Sequence, residues 1–166
     1  MRFIYQDKTY QGDIRGSCAF YIKQNSRRGI KIWFKSKSKD LISLKKSYAW
    51  KNAKKEFSIL KKLASSGLSP LPFDLVVVQS PDSQYLYPAI IMEHIESKTL
   101  SDCFYHWPSQ IYKFNEELYD AHSLSDELDN YLKDLGIKHN DLHFGNILIA
   151  KKGIKIIDFN LSKNIA

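Results

Sequence analysis

Apolar and polar residues are arranged so that the first third of the chain reads as short strands and the remainder as helices alternating with strands. Residues 2–6 and 8–14 read as a first strand or hairpin. Gly12-Asp13-Ile14-Arg15-Gly16-Ser17-Cys18-Ala19 follows as a turn with two glycines. The apolar, aromatic run from Cys18 to Gln24 predicts a strand, Asn25 to Gly29 a turn, and Gly29 to Phe34 the next strand. Together these predict an antiparallel meander holding a small-residue loop. Leu41 to Ala64 predicts one helix, with Ala53, Phe57, Leu60 and Ala64 at helical spacing and Ser65-Ser66-Gly67 as its stop. Strands follow at 73–79 and 85–94. Ser97 to Asp102 opens a helix that Trp107-Pro108 ends. Helical signals return at 109–118 and 123–135, the second with a stripe of Leu124, Leu128, Tyr131 and Leu135 before Gly136. Ile147 to Ala150 and Ile154 to Ile157 predict a hairpin turning at Lys151-Lys152-Gly153.

Composition narrows this picture. At 166 residues and 43% hydrophobic, the chain is one domain or two small units with a real core. Cys18 and Cys103 have no metal-type spacing and read as free thiols of a reducing compartment. No apolar run approaches the roughly 18 residues of a membrane span. The opening Met-Arg-Phe-Ile-Tyr-Gln-Asp carries no leader pattern. A cytoplasmic protein is therefore expected. The charge is uneven: residues 1–70 hold 17 Lys/Arg against 4 Asp/Glu, and residues 71–166 hold 8 against 14. The lysines from Lys35 to Lys62 suit an acidic partner, a phosphorylated lipid or nucleic acid, with a solvated helix face as the plain alternative. No aromatic-studded RNA-binding motif points to nucleic acid.

The candidate chemistry sits late. His139-Asn140-Asp141-Leu142-His143-Phe144-Gly145-Asn146 precedes the predicted hairpin, and Asp158-Phe159 follows it. An Asp, an Asn five positions on and a second Asp behind a hairpin form the arrangement phosphoryl transfer needs. One carboxylate accepts a hydroxyl proton, while an amide oxygen and another carboxylate hold magnesium on nucleotide phosphates. Upstream, side-chain alternation along residues 29–35 makes Lys31 the better phosphate lysine. Its same-face neighbour Gly29 leaves room for a base, whereas Lys35 has Trp33 there. Ile30, Ile32 and Phe34 would then face the core. Glu56, the only acid between Asp40 and Asp74, is about one turn from Ala53 and Leu60 and can face the sheet toward Lys31.

In this order of parts the chain resembles the protein-kinase-like superfamily from about Gly12 to Asn160. The resemblance implies an α+β, two-lobe, single-domain fold. Residues 1–93 would form an antiparallel-sheet N-lobe with one helix, 94–96 a hinge and 97–166 a reduced, mostly helical C-lobe. It implies ATP and Mg2+ as cofactors. Asp141 would be the catalytic base, Asn146 and Asp158 the metal ligands, and Lys31, held by Glu56, the phosphate lysine. Gly16 and Ser17 would cover the phosphates. Gly29, Met92 and Leu148 would surround the base, Glu93 to Ile95 would form the hinge, and His139 would brace the catalytic loop.

The departures from that pattern are informative. Asn140 replaces a common arginine, which implies no phosphorylated-loop switch. His143 stands where protein kinases carry a phosphate-contacting lysine. Together with Gly145-Asn146 it looks like the loop of aminoglycoside- and choline-type kinases, of lipopolysaccharide core kinases and of haspin. Ala19 stands where a third loop glycine is expected. Asn160 replaces the glycine after Asp-Phe, where its tolerance of positive φ would preserve the turn. Six residues follow Asn160, so a minimal kinase is expected. Three functions remain: a protein serine/threonine kinase, a kinase for a saccharide or other small alcohol, and a module that binds nucleotide or protein without catalysis.

Overall fold

The computed structural model describes residues 2–6, 8–11, 13–15, 19–35 and 37–165. Gly16 and Ser17, and with them the expected phosphate-covering loop, lie outside the described residues. The protein is α+β, with a curled antiparallel sheet. The chain forms two compact units, Met1–Ser58 with Leu71–His94 and Ile59–Pro70 with Ile95–Ala166. Among the described residues no helix is long and apolar enough to cross a membrane.

The first unit is built on seven strands: β1 (Arg2–Tyr5), β2 (Lys8–Gln11), β3 (Asp13–Arg15), β4 (Ala19–Lys23), β5 (Arg28–Trp33), β6 (Pro72–Gln79) and β7 (Leu86–Glu93). Their order is β2-β1-β6-β7-β5-β4-β3. The predicted meander is thus only partly present. β3, β4 and β5 are sequential neighbours, but the β1–β2 hairpin joins the far edge, where Ile4 pairs with Gln79. Local pattern fixes hairpins, whereas the edge a hairpin joins is decided by long-range pairing.

On β5, Ile30 and Ile32 are fully buried with Val78, Tyr87, Ala89 and Ile91, and Phe34 packs against this cluster. Burying side chains of this size stabilises by about 1.5–3 kcal/mol each. Lys31 is on the opposite face by the period-two rule.

The predicted helix over 41–64 is broken at Ser47. α1 (Leu41–Lys46) starts at Asp40, whose carboxylate accepts from the Ser43 N–H at 2.8 Å. Ser47 is extended at φ −68° and ψ 157°, and its hydroxyl accepts from the Trp50 N–H at 3.1 Å, starting α2 (Tyr48–Leu63). A serine cap inside an unbroken apolar period therefore won over the period. The buried face of α2 carries Ala49, Ala53, Glu56, Ile59, Leu60 and Leu63, while Phe57 is only half-buried.

In the second unit, β8 (Ser97–Thr99) leads into α3 (Leu100–His106), where Thr99 and Asp102 cap each other reciprocally. The predicted helix over 109–118 is instead a hairpin of β9 (Tyr112–Phe114) and β10 (Glu117–Tyr119). Asn115 and Glu116 connect the strands, with φ of 47° and 69°. Two consecutive positive φ values define the tight turn that matches strand twist. Asn115 was the signal, without the glycine that usually follows it.

α4 (Ala121–Asp134) is capped by Asp120 and buries Ala121, Leu124, Leu128 and Leu132. Leu132 takes the core position expected for Tyr131 and Leu135. Gly136 ends the helix at φ 73°. β11 (Ile137–Lys138) then pairs with β14 (Lys163–Asn164), and β12 (Ile147–Ala150) lies between β13 (Gly153–Ile156) and β8.

Gly136→Ala is expected to destabilise the protein by about 1–2 kcal/mol, because an L side chain there must adopt the left-handed region. Its Cβ would also lie 3.2 Å from Lys62 Nζ. Urea denaturation checks this, and an unchanged midpoint would contradict it.

Candidate functional site

The first unit supplies a buried ion pair. Lys31 Nζ donates to both Glu56 oxygens, at 2.9 and 3.0 Å. The Glu56 side chain is 2% exposed and that of Lys31 13%. Placement follows from two periods. β5 turns Lys31 away from the apolar cluster, and α2 turns Glu56 inward with Ala53 and Leu60. Lys35, the alternative, is exposed. A carboxylate at this depth depends on its cation, since breaking such a pair from one side costs about 3–5 kcal/mol.

Gly29 does not leave open space. Tyr21 pairs across the strands with Lys31, so Gly29 is its diagonal neighbour on the same face. A Cβ built on Gly29 would come within 1.9 Å of the Tyr21 hydroxyl. That hydroxyl is 2.8 Å from His94 Nδ1, and the two rings stack with centroids 5.8 Å apart. The room expected for a base is therefore filled by a phenol. Sequence reading passed over Tyr21, although a glycine inside a strand is itself a sign of close approach.

Met92 is buried and pairs with Gly29. In the predicted hinge, the Glu93 N–H donates to Leu71 O at 2.8 Å and the His94 N–H to Arg27 O at 2.9 Å. The Ile95 N–H carries no hydrogen bond among the described residues.

The second unit holds the motif of residues 139–158. His139 is fully buried. Its Nδ1 accepts from the Asp141 N–H at 3.3 Å, and its Nε2 is 3.0 Å from Ile157 O. A carbonyl only accepts, so Nε2 carries the proton and the ring is neutral. Burial holds its pKa below 6.5, in the direction that keeps it neutral. The His139 carbonyl accepts from Ser162 Oγ at 3.0 Å, and the Phe159 ring lies 4.8 Å away. Asn140 turns the chain at φ 66° and donates to Leu161 O at 3.0 Å.

Asp141 emerges half-buried from this anchored backbone. Its carboxylate has no hydrogen bond or ion pair among the described residues. It lines a depression of about 350 Å³ together with Asp126, Asp129, Lys138, Asn140 and His143.

Asn146, 6% exposed, donates Nδ2 to Asp141 O at 2.9 Å. The acceptor fixes the amide orientation and leaves Oδ1 as the group presented elsewhere. The Ile157 N–H donates to Asn146 O at 3.0 Å, so Asp158 begins one residue from Asn146's strand partner. Asp158 is left-handed, at φ 65° and ψ 58°. The positive φ expected at Asn160 falls here instead. Asn160 lies within a short 3-10 turn, and its Oδ1 is buried without a partner among the described residues. Backbone strain of this kind, on the order of 1 kcal/mol or more, persists where surrounding structure imposes it.

His143 is exposed, and its Nδ1 accepts from the Gly145 N–H at 3.1 Å, leaving Nε2 for a ligand. Leu148 lies on β12 opposite Lys155, half-buried.

Asn146 and Asp158 offer hard oxygen donors, which suit a small divalent cation such as magnesium. Among the described residues no group of three or more His, Cys, Asp or Glu is placed to hold a metal. A cation on this pair would complete its shell with water or ligand oxygens, as magnesium commonly does. Comparison with known proteins finds no family model that matches the chain and no curated protein that matches its sequence.

Two outcomes are expected. Gly29→Ala displaces Tyr21 and lowers stability by about 1–3 kcal/mol, as overpacking does. Adding Tyr21→Ala recovers part of that loss in thermal melts. Separately, His139 has a folded pKa below the unfolded value of 6.5. Its contribution to stability is complete above pH 6.5 and is lost as pH falls from there toward the folded pKa, because the unfolded state binds the proton first. Melting temperature, followed from about pH 7.5 down to about pH 5, is expected to fall less steeply in His139→Gln.

Proposed function

We propose that the chain is a magnesium- and ATP-dependent phosphotransferase of the protein-kinase-like, two-lobe kind, with a protein serine or threonine hydroxyl as acceptor. The observation that carries this reading is the network around Asp141. One neutral, buried imidazole holds the Asp141 N–H, one amide holds the Asp141 carbonyl, and the carboxylate itself is left uncommitted beside a depression. A general base needs a fixed backbone and a free carboxylate together. The Lys31–Glu56 pair supports the reading independently, as a cation held by a buried carboxylate.

In this reading Asp141 orients the acceptor hydroxyl and takes its proton. Lys31 binds the α- and β-phosphates, and Glu56 keeps its ammonium from swinging into solvent. Asn146 Oδ1 and the Asp158 carboxylate ligate magnesium, which neutralises phosphate charge during transfer. His143 Nε2 donates to a phosphate oxygen. The base approaches the Gly29 backbone and the Ile95 N–H, and to do so it moves the Tyr21 phenol off Gly29. Met92 and Leu148 supply apolar contact to it. The enzyme works in the cytoplasm, where Mg-ATP is abundant.

Asp141→Ala is the cleanest test, because the lost carboxylate has no structural partner. Transfer of labelled γ-phosphate to proteins of a lysate is expected to fall about 10²–10⁴-fold. The magnesium- and ATP-induced rise in melting temperature should remain. Equal, background transfer by wild type and variant would sink the catalytic reading, and transfer confined to saccharides or small alcohols would sink the protein acceptor. Lys31→Ala is a poorer probe, since it also removes a cation from the buried Glu56 carboxylate.

A further inference from the structure

The outer surface of α1 and α2 is used by nothing described above. Between residues 39 and 55 the exposed charges are Lys39, Lys45, Lys46, Lys51, Lys54 and Lys55, against the single acid Asp40. The Asp40 carboxylate is occupied by the Ser43 N–H and hydroxyl. Glu56, the next acid, is buried and paired with Lys31, so it offsets none of this surface charge.

Helical geometry sorts α2 cleanly. Ala49, Ala53 and Glu56 face inward, and Lys51, Lys54, Lys55 and Ser58 fall on the opposite side. At the start of this surface the chain exposes large apolar side chains: Ile42 at 70%, Tyr48 at 72% and Leu41 at 46%. Single exposed apolar residues are ordinary. Three within eight positions, set among lysines, are not required by the fold. α1 is anchored by Leu44, which is fully buried.

We propose that this surface docks on an anionic phospholipid bilayer. A bilayer uses both halves of it. Ile42, Leu41 and Tyr48 enter the headgroup and upper acyl layer, and the lysine ammonium groups meet lipid phosphates and carboxylates while their stems lie along the apolar boundary. A nucleic acid would satisfy the lysines and leave Ile42 and Leu41 in water. The helix termini suit the same geometry. Lys45 and Lys46 close the last turn of α1, where cations are favoured. This surface does not depend on the phosphotransferase reading and stands or falls separately.

The test is flotation of the full chain with vesicles of phosphatidylcholine alone and of phosphatidylcholine mixed equally with phosphatidylserine, at low and physiological salt. Binding to the anionic vesicles only, weakened by salt, is expected. Ile42→Asp, at a solvent-facing position, and the pair Lys51→Glu with Lys55→Glu are each expected to lower it about tenfold or more. Melting temperatures verify that both variants fold. No preference for anionic vesicles overturns the proposal. Binding that charge reversal abolishes but Ile42→Asp leaves unchanged also overturns it, in favour of a purely electrostatic partner. In that case duplex RNA or polyglutamate will compete with equal effect against wild type and Ile42→Asp.

Discussion

A single buried imidazole sets the geometry of residues 139–162. His139 is fully buried, so both ring nitrogens must find partners, and they find the backbone on each side of the hairpin. That requirement joins the Asp141 peptide to the Ile157 peptide. Ser162 and Phe159 close in on the same residue from beyond Asp158. The left-handed backbone of Asn140 and Asp158 follows, since the chain must turn sharply on either side of a ring that will not move. Polar satisfaction by His139 adds here to the burial of Ile147, Ile156 and Phe159.

The first unit solves a related problem with a different device. β5 divides its side chains between an apolar cluster and a polar face, and that face carries Gly29, Lys31 and Trp33 in succession. Lys31 is kept by Glu56, and its ammonium also lies 5.1 Å from the Trp33 ring. Gly29 is small because Tyr21 is large. This face therefore sets the Lys31 ammonium, held by Glu56, beside the Tyr21 ring of the neighbouring strand, which hydrogen-bonds and stacks with His94.

Much of this was legible in the chain. Alternation along residues 29–35 placed Lys31 on the face opposite Ile30 and Ile32, although the room beside Gly29 that favoured it over Lys35 is filled by Tyr21. The lone Glu56 beside Ala53 and Leu60 gave the inward carboxylate. Three things were not. The hairpin at 112–119 was hidden because Asn115-Glu116 lacks the glycine that normally marks such turns. The break at Ser47 was hidden because a cap costs one residue and leaves the apolar period nearly intact. The occupation of Gly29 by Tyr21 needs the β4–β5 register, which no local pattern specifies. Likewise, Asn160 looked like the residue for positive φ because it is the more tolerant type. The structure puts that conformation at Asp158 instead.

The pairing of β11 with β14 has a consequence for motion. Ile137 and Lys138 pair with Asn164 and Lys163, and the Ile165 N–H donates to Gly136 O. Asp141, Asn146 and Asp158 are thus enclosed in one short stretch of chain whose ends are bonded together. Closing so few residues costs little loop entropy, and opening them at one end removes support from all three. Such a closed stretch is expected to open as a cooperative unit, its amides exchanging with solvent together. The residues that the proposed reaction would use together would then also be lost together when the protein breathes.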